Sequence, residues 1–321
     1  MKFYLKLIRW PNLLIIIFTM LLIRYGVIFP FLKIHGFQLQ LSLINFILLV
    51  LSTVFIAAGG YVINDYFDRR IDMTNKPNQV IVGTHIERRK VMSLHNILTA
   101  TGLALGFYLS YDIGQESFAF VFIIISGALW FYSTLYKRQL LIGNFLIALL
   151  TAIVPLLIVL YDVPSILNHY HYTFIRLPEL YIEMKYMMYA VVMFSGFAFL
   201  TTFAREIIKD IQDMEGDRTC KRNTLPIVFG VNVAKSVAIF FILVTIIALS
   251  VIYFIFLQND MLSLLYLLIA LIAPMLSLVY FLIKSNSTKD YKFSSQLLKI
   301  IMVLGLLYVI PFYLKIVTIV V

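Results

Sequence analysis

Long apolar runs alternate with short polar segments along the whole chain. Nine of the runs are long enough to cross a bilayer as helices, since about 20 residues span its hydrocarbon core. They lie near residues 11–34, 42–63, 91–110, 117–136, 140–161, 185–204, 232–257, 261–283 and 294–320. Short alternating segments, which are typical of membrane β-barrels, do not dominate. The pattern therefore predicts an all-α, polytopic integral membrane protein with nine transmembrane helices.

The composition agrees with a lipid environment. Of the 321 residues, 62% are hydrophobic and 13% are charged, whereas soluble domains carry about 25% charged residues. The single cysteine, Cys220, excludes an intramolecular disulfide. No small-residue cleavage site follows the basic N-terminal segment, so we expect no cleaved signal peptide.

Lys and Arg are distributed unevenly between the predicted loops. If the N-terminus is cytoplasmic, the cytoplasmic segments hold 21 of the 26 Lys and Arg residues. Because such residues accumulate in cytoplasmic loops, the sequence predicts a cytoplasmic N-terminus. Direct insertion without a signal peptide suits a bacterial or archaeal plasma membrane, and an organelle membrane stays open as the alternative. The formal net charge of +10 is then mostly a topology signal, and we expect no nucleic-acid partner.

Two acidic stretches lie on the predicted cytoplasmic side. Each reads D-x-x-D-x-x-x-D, and the carboxylates are Asp65, Asp68 and Asp72 in the first motif and Asp210, Asp213 and Asp217 in the second. This spacing places the three carboxylates of each motif on one face of a helix end. A shift of 145 residues superposes the motifs. It predicts one domain, 1–321, with pseudo-repeat halves at about 1–139 and 140–321.

Like charges on one helix face repel each other and need positive partners. Mg²⁺ takes carboxylate and phosphate oxygens, and Lys and Arg bind phosphate. We therefore expect the six motif carboxylates to be catalytic, to bind Mg²⁺, and to hold one diphosphate through it. The nearby bases that share this task are Arg69, Arg70, Lys76, Arg205, Lys209, Arg218, Lys221 and Arg222.

A lipid-soluble allylic diphosphate fits such a site at a membrane face. Its diphosphate leaves while cations neutralise the developing charge, and the allylic cation alkylates an acceptor.

A third stretch, residues 131–144, joins the fourth and fifth predicted spans. In one interpretation Lys137 or Arg138 reaches the pocket and binds phosphate. In the other, these bases and Tyr136 form a membrane anchor of aromatic and basic residues. Asn144, just inside the fifth span, is a polar residue with no obvious lipid-facing role.

These residues resemble the UbiA superfamily of intramembrane prenyltransferases. Its first motif, N-D-x-x-D-x-x-x-D, is matched by Asn64 with the first-motif carboxylates, and its second motif by the second set. The resemblance implies a nine-helix bundle with a cytoplasmic-side active site, and Mg²⁺-dependent transfer of a prenyl group from a prenyl diphosphate to a lipophilic acceptor. The candidate substrate-binding residues are then Asn64, Lys76, Tyr136, Lys137, Arg138, Asn144, Arg205, Lys209 and Lys221.

Within the superfamily, "REIIKDIQDMEGDR" with "NTLPIVFG" and "YKRQLLIGN" look most like the archaeal-type digeranylgeranylglyceryl phosphate synthase branch. That likeness implies geranylgeranyl transfer to the free hydroxyl of geranylgeranylglyceryl phosphate, with Lys137 or Arg138 on the acceptor's phosphate. The branch usually continues after the first motif as N-R-P-x-R-P-I-P-S-G, and this chain reads "NKPNQVIVG". Lys76 and Gln79 stand where that pattern has arginines, and this departure bears on the acceptor.

Two alternatives stay open. An aromatic acceptor of quinone or pigment biosynthesis would need the same diphosphate site. A cation-binding membrane transporter would use the carboxylates differently, with ionisable residues or broken helices near the bilayer midplane. The predicted spans place both motifs at cytoplasmic helix ends, which favours the enzyme.

Overall fold

The computed structural model describes residues 1–75 and 77–318, the last two of them by their backbone alone. This part of the chain is all-α, as predicted, and contains no β-strand. The helices are α1 Lys2–Leu7, α2 Trp10–Leu22, α3 Phe29–Ile34, α4 Leu43–Asn75, α5 Arg88–Asp112, α6 Ala119–Thr134, α7 Ile142–His169, α8 His171–Arg176, α9 Glu179–Gln212, α10 Met214–Thr219, α11 Leu225–Val228, α12 Val231–Phe256, α13 Met261–Tyr266, α14 Ala273–Lys284, α15 Thr288–Leu307 and α16 Val309–Thr318.

Shorter helical turns join several of these helices. The π-helical segments Ile23–Ile28 and Leu267–Ile272 connect α2 to α3 and α13 to α14. The 3₁₀ turns are Pro77–Gln79, Glu116–Phe118 and Tyr136–Arg138.

Eight helical segments of the described chain are long and apolar enough to cross a membrane. The predicted third span, 91–110, is the 25-residue α5, which does not qualify as an apolar span. Polar residues such as His95 and Asn96 lie within it. The predicted count of nine is therefore not confirmed, although all nine predicted spans coincide with helices over the described residues.

The chain forms two compact units. The first comprises Met1–Phe18, Ser42–Leu146 and Asp213–Val228, and the second Thr19–Leu41, Ile147–Gln212 and Phe229–Val321. The whole first motif lies in the first unit, together with Asp213 and Asp217, whereas Asp210 lies in the second. The predicted single domain with pseudo-repeat halves stays a prediction.

In the first unit, α4 packs against both α5 and α6. The Ser52 hydroxyl donates to the Gly102 carbonyl at 2.7 Å, and the Nδ1 atom of His95 lies 2.9 Å from the Gly59 carbonyl oxygen. These bonds satisfy polar groups inside an apolar interface, where an unpaired group is costly. Contacts on two sides thus hold α4, whose last turns carry the first motif.

The loop that follows α4 folds back toward it. A hydrophobic cluster joins helix α1 to α4, this loop and α5, and its buried members are Leu7, Val62, Ile81, Val82, Ile86 and Val91. Arg69 stands between Asp68 and Asp72 in the sequence. Its Nε atom donates to the Val82 carbonyl at 3.0 Å. Arg69 is therefore occupied by the loop.

In the second unit, α9 packs against α12 and α15. This unit also holds a buried ion pair, in which the Nε atom of Arg24 lies 3.0 Å from a carboxylate oxygen of Asp162. The two side chains are 2% and 0% exposed. Charges within a membrane-spanning region need such partners, and here each of the two buried side chains satisfies the other.

Candidate active site

The first motif lies on the last turns of α4, which runs without a break to Asn75. The predicted placement of its three carboxylates on one helix face is confirmed. At the first position, the Nη2 atom of Arg9 lies 2.8 Å from an oxygen of Asp65. Their side chains are 38% and 19% exposed, so this ion pair is partly open to solvent.

Asp68 is the centre of a charged cluster that includes Lys137, Arg222 and Asp217. The Nζ atom of Lys137 lies 2.8 Å from Asp68 Oδ1, and the Arg222 guanidinium donates to the same oxygen. Lys137 also donates to Asn64 Oδ1 at 3.2 Å. The structure therefore brings Asn64 and Asp68 of the first motif together around a buried lysine.

Lys137 belongs to the 3₁₀ turn Tyr136–Arg138, where it is buried while Arg138 is exposed. A Cβ atom at Gly143 would lie 2.8 Å from the Lys137 Cα, so glycine allows this turn to close. Of the two bases that the sequence left open, Lys137 is the one that reaches the first motif. Tyr136 is half-buried, and its ring centroid lies 6.2 Å from that of Phe131 with the ring planes tilted by 49°. Asn144 is buried in the first turn of α7.

The second motif differs from its prediction. Helix α9 ends at Gln212, Asp213 has φ −99° and ψ 10°, and α10 begins at Met214. The expectation that all three carboxylates share one helix face is therefore wrong for this motif. Its physical cause is tertiary: Asn75 of α4 hydrogen-bonds the backbone of Asp213 and Gly216, which spacing alone cannot show.

Arg222 joins the two motifs. Its Nη1 atom donates to Asp217 Oδ1 at 3.1 Å, and its Nη2 atom donates to Asp68. The Asp217 residue is 3% exposed. A bidentate guanidinium suits this role because its planar fork can hold two carboxylates at once. The next residue, Asn223, donates its backbone N–H to the Arg138 carbonyl at 3.0 Å.

The pKa values of the cluster follow from burial and from charge. Burial raises the pKa of Asp217 to about 6, against the pull of Arg222 and with the help of the Asp213 and Asp68 charges. Burial lowers the pKa of Lys137, although Asp68 opposes the shift. For Arg222, burial acts downward, but Asp68 and Asp217 outweigh it and raise the pKa. The acidic residues thus keep Arg222 charged in a buried place.

The other predicted residues are distributed as follows. Asp72 is half-buried one turn beyond Asp68, and Lys221 is exposed with φ +54°. Lys76 lies outside the described residues. In the second unit, Arg205 and Lys209 both pair with buried Glu206, at 3.1 and 2.7 Å, and Asp210 lies in the last turn of α9.

The donor set fits Mg²⁺ in its chemistry, since carboxylate oxygens are the ligands that this ion prefers. The guanidinium of Arg222 between Asp68 and Asp217 also shows that a cation is accepted between the motifs. Within the described residues, no group of three His, Cys, Asp or Glu side chains is placed to hold a metal ion. An ion bound at the cluster would therefore have to displace Arg222 and Lys137 from Asp68.

Three residues of the hydrogen bonds and ion pairs described above are additional to the sequence predictions. Asn75 extends the 3-4 spacing of the first motif by another three residues, so it could have been predicted on the same helix face. Arg9 is 56 residues away from Asp65, and no local pattern announces their contact. Glu206 lies between Arg205 and Lys209 in "REIIKD", and the charge pattern there does not show that it pairs with both bases.

Comparisons with known proteins show what this chain is similar to. A family model described as the UbiA prenyltransferase family matches residues 13–303. The digeranylgeranylglyceryl phosphate synthase of Methanosphaera stadtmanae is 32% identical over 221 residues, which are 68% of this chain and 70% of that relative. Further archaeal relatives with the same name match over 59 to 64% of their own length.

Solved structures show the same fold. One, described as giving structural and mechanistic insights into digeranylgeranylglyceryl phosphate synthase in membranes, has a TM-score of 0.59 and 25% identity, over 98% of both chains. Another is a UbiA homologue from Archaeoglobus fulgidus bound to DMAPP and Mg²⁺. Its TM-score is 0.54 over 94% of this chain and 97% of that one, and its 16% identity supports a likeness of fold alone.

Proposed function

Because the chain belongs to the UbiA prenyltransferase family, we propose that it transfers a geranylgeranyl group from geranylgeranyl diphosphate to the free hydroxyl of geranylgeranylglyceryl phosphate. The chain is an integral membrane prenyltransferase. The observation that carries the proposed reaction is the Arg222 bridge, which joins Asp68 of the first motif to Asp217 of the second.

The cluster has the charges that a diphosphate site needs. The carboxylates of both motifs that lie in the first unit would hold Mg²⁺, namely Asp65, Asp68, Asp72, Asp213 and Asp217. When bound, Mg²⁺ supplies positive charge to the oxygens of the departing diphosphate. In this structure Lys137 and Arg222 neutralise Asp68, and the Lys137 Nζ atom lies 2.8 Å from Asp68 Oδ1. Once Mg²⁺ replaces these bases at Asp68, their charged groups can bind the diphosphate directly. Both bases lie next to the carboxylates that would hold the ion, and both donate strong hydrogen bonds.

The chemical step is then a substitution at the first carbon of the prenyl chain. The bond from this carbon to the diphosphate oxygen breaks, and its electron pair leaves with the diphosphate. The acceptor hydroxyl oxygen bonds to the same carbon, and its proton passes to the released diphosphate. Charge stabilisation by Lys137 and Arg222 lowers the barrier to the departure of the diphosphate.

The acceptor assignment rests on the names of the relatives and on the basic turn at residues 136–138. Lys137 is engaged with Asp68 and Asn64, whereas its neighbour Arg138 is exposed. Arg138 is therefore the base that we assign to the acceptor's phosphate. An aromatic acceptor without a phosphate would not need it.

The test uses the purified chain in detergent with Mg²⁺ and geranylgeranyl diphosphate. We expect diphosphate release that depends on geranylgeranylglyceryl phosphate, with a digeranylgeranylglyceryl phosphate product by mass spectrometry. Geranylgeranylglycerol, which lacks the phosphate, and a hydroxybenzoate serve as matched acceptors. Faster turnover with the aromatic acid would overturn the acceptor, and no turnover with any acceptor would contradict the reaction.

The proposed site faces the cytoplasm, since the predicted cytoplasmic segments hold most of the Lys and Arg residues. The single cysteine, Cys220, follows α10 and is partly exposed. A membrane-impermeant maleimide should label it in inverted vesicles but not in intact cells. The matched control is Cys220→Ser with Gln258→Cys, in a predicted outer loop, which should give the opposite labelling. Labelling of Cys220 from outside would refute the orientation.

A further inference from the structure

Asn75 is the last residue of α4, and its side chain makes two hydrogen bonds to a segment more than 130 residues later. Its Nδ2 atom donates to the Asp213 carbonyl at 3.0 Å, and its Oδ1 atom accepts from the Gly216 backbone N–H at 2.8 Å. Both groups belong to the second motif, at the break between α9 and α10. One amide therefore holds both a carbonyl and an N–H group of that motif, as a neighbouring backbone would.

Gly216 completes this contact. A Cβ atom there would lie 2.5 Å from Asn75 Nδ2 and 2.7 Å from both its Cγ and Oδ1 atoms. Real side chains do not tolerate such distances, and Gly216 is itself buried. A side chain at this position would therefore have to displace the Asn75 amide from its two hydrogen bonds.

The contact between Asn75 and Gly216 joins the segments that carry the two acidic motifs. Asn75 follows Asp72 by three residues on one continuous helix, so it shares the face that carries the first-motif carboxylates. Gly216 directly precedes Asp217, whose carboxylate meets Asp68 through Arg222. The amide and the guanidinium are therefore two separate links between the same two segments.

We propose that Asn75 and Gly216 form a positioning clamp, which docks the second acidic motif on the first and sets the distance between their carboxylates. The clamp rests on the proposed function, because it prepares the two motifs to share Mg²⁺ and a diphosphate. Asn75 does not touch the substrate in this account. It acts through the placement of Asp213 and Asp217.

The experiment measures ligand binding rather than turnover. Purified wild-type and variant proteins are titrated with Mg²⁺ and a non-hydrolysable geranylgeranyl thiodiphosphate, and thermal unfolding is recorded without ligand. Asn75→Ala and the isosteric Asn75→Asp should each weaken Mg²⁺-dependent binding by about tenfold or more, since two buried hydrogen bonds are lost or one is turned repulsive. The exposed Asn78→Ala, three residues later, should bind like the wild type.

A double-mutant cycle identifies the clamp itself. Gly216→Ala should weaken binding at least as much as Asn75→Ala, because its methyl group collides with the amide. In the Asn75→Ala background the collision disappears, so adding Gly216→Ala should have little further effect. Independent effects of the two substitutions would contradict the clamp.

The outcomes separate this inference from the proposed function. If wild-type protein shows no Mg²⁺-dependent binding of the prenyl ligand, the proposed function fails. If the wild type binds and Asn75→Asp binds equally well, the clamp is wrong while the function stands. Should Asn75→Ala fail to fold, the isosteric Asn75→Asp still decides, since it preserves the size of the side chain.

Discussion

The two acidic motifs have the same spacing in the sequence but are built in different ways. The first lies on α4, a single helix of 33 residues that packs against two neighbours. The second is divided between the end of α9 and the short helix α10. One continuous helix aligns the first motif, whereas Asp213 and Asp217 lie at and beyond a helix break and are contacted there by Asn75 and Arg222.

This difference predicts that the two motifs respond differently when a side-chain contact is removed. A carboxylate on a long packed helix stays in place when one side-chain contact is lost, because the helix remains. A carboxylate at a helix break moves when its tertiary partners are removed. We therefore expect substitutions at the partners to disturb the second motif and to leave the first one ordered.

Asp68→Asn should have the largest effect. It removes the negative charge that Lys137 and Arg222 share, and with it a ligand of the proposed ion. We expect prenyl transfer to fall by at least about a hundredfold, as charge-stabilising groups in active sites usually require. Acceptor-dependent diphosphate release measures this.

Its matched control is Asp112→Asn. Asp112 is an exposed carboxylate at the end of α5, where the Asn45 amide donates to it at 2.8 Å. Asn45 lies near the start of α4, far along the helix from Asp68. Asp112→Asn should retain wild-type turnover, and an Asp68→Asn protein with comparable turnover would remove Asp68 from the site.

Arg222→Gln should have the next largest effect, since it removes the base that joins the motifs and that would bind the diphosphate once Mg²⁺ takes its place at Asp68. Loss of its charge-assisted hydrogen bonds should weaken Mg²⁺-dependent prenyl diphosphate binding by about tenfold. Hydrogen exchange should accelerate in residues 213–222 and stay unchanged in residues 65–75. The exposed Arg89→Gln is the control. Equal acceleration in both segments would erase the proposed contrast.

Arg9→Gln should have the smallest effect. Its pair with Asp65 is partly exposed to solvent, and such ion pairs contribute about 1 kcal/mol or less. We expect turnover to fall by less than about fivefold, with unchanged exchange in the first motif. Lys2→Gln, an exposed base in α1, is the comparison. A loss as large as that of Asp68→Asn would make Arg9 a principal residue of the site.

The fold was largely predictable because long apolar runs have few stable arrangements in a membrane. The helical first motif followed from its spacing in the same way. Asn75 could have been added by extending that spacing. In contrast, the partners of the carboxylates depend on tertiary packing: Arg9 meets Asp65 and Arg222 meets Asp68 across long stretches of chain. The break at Asp213 is likewise a tertiary effect, so period and propensity predicted a continuous helix there.

The most direct test of the account is a double-mutant cycle between Asp68→Asn and Asp217→Asn. The measured quantity is the affinity for geranylgeranyl thiodiphosphate at saturating and at zero Mg²⁺. If the two motifs share one ion and one diphosphate, each single substitution should remove most of the Mg²⁺-dependent affinity, and the second should add little to the first. Effects that multiply as if the two carboxylates were independent would contradict a site shared by the two motifs.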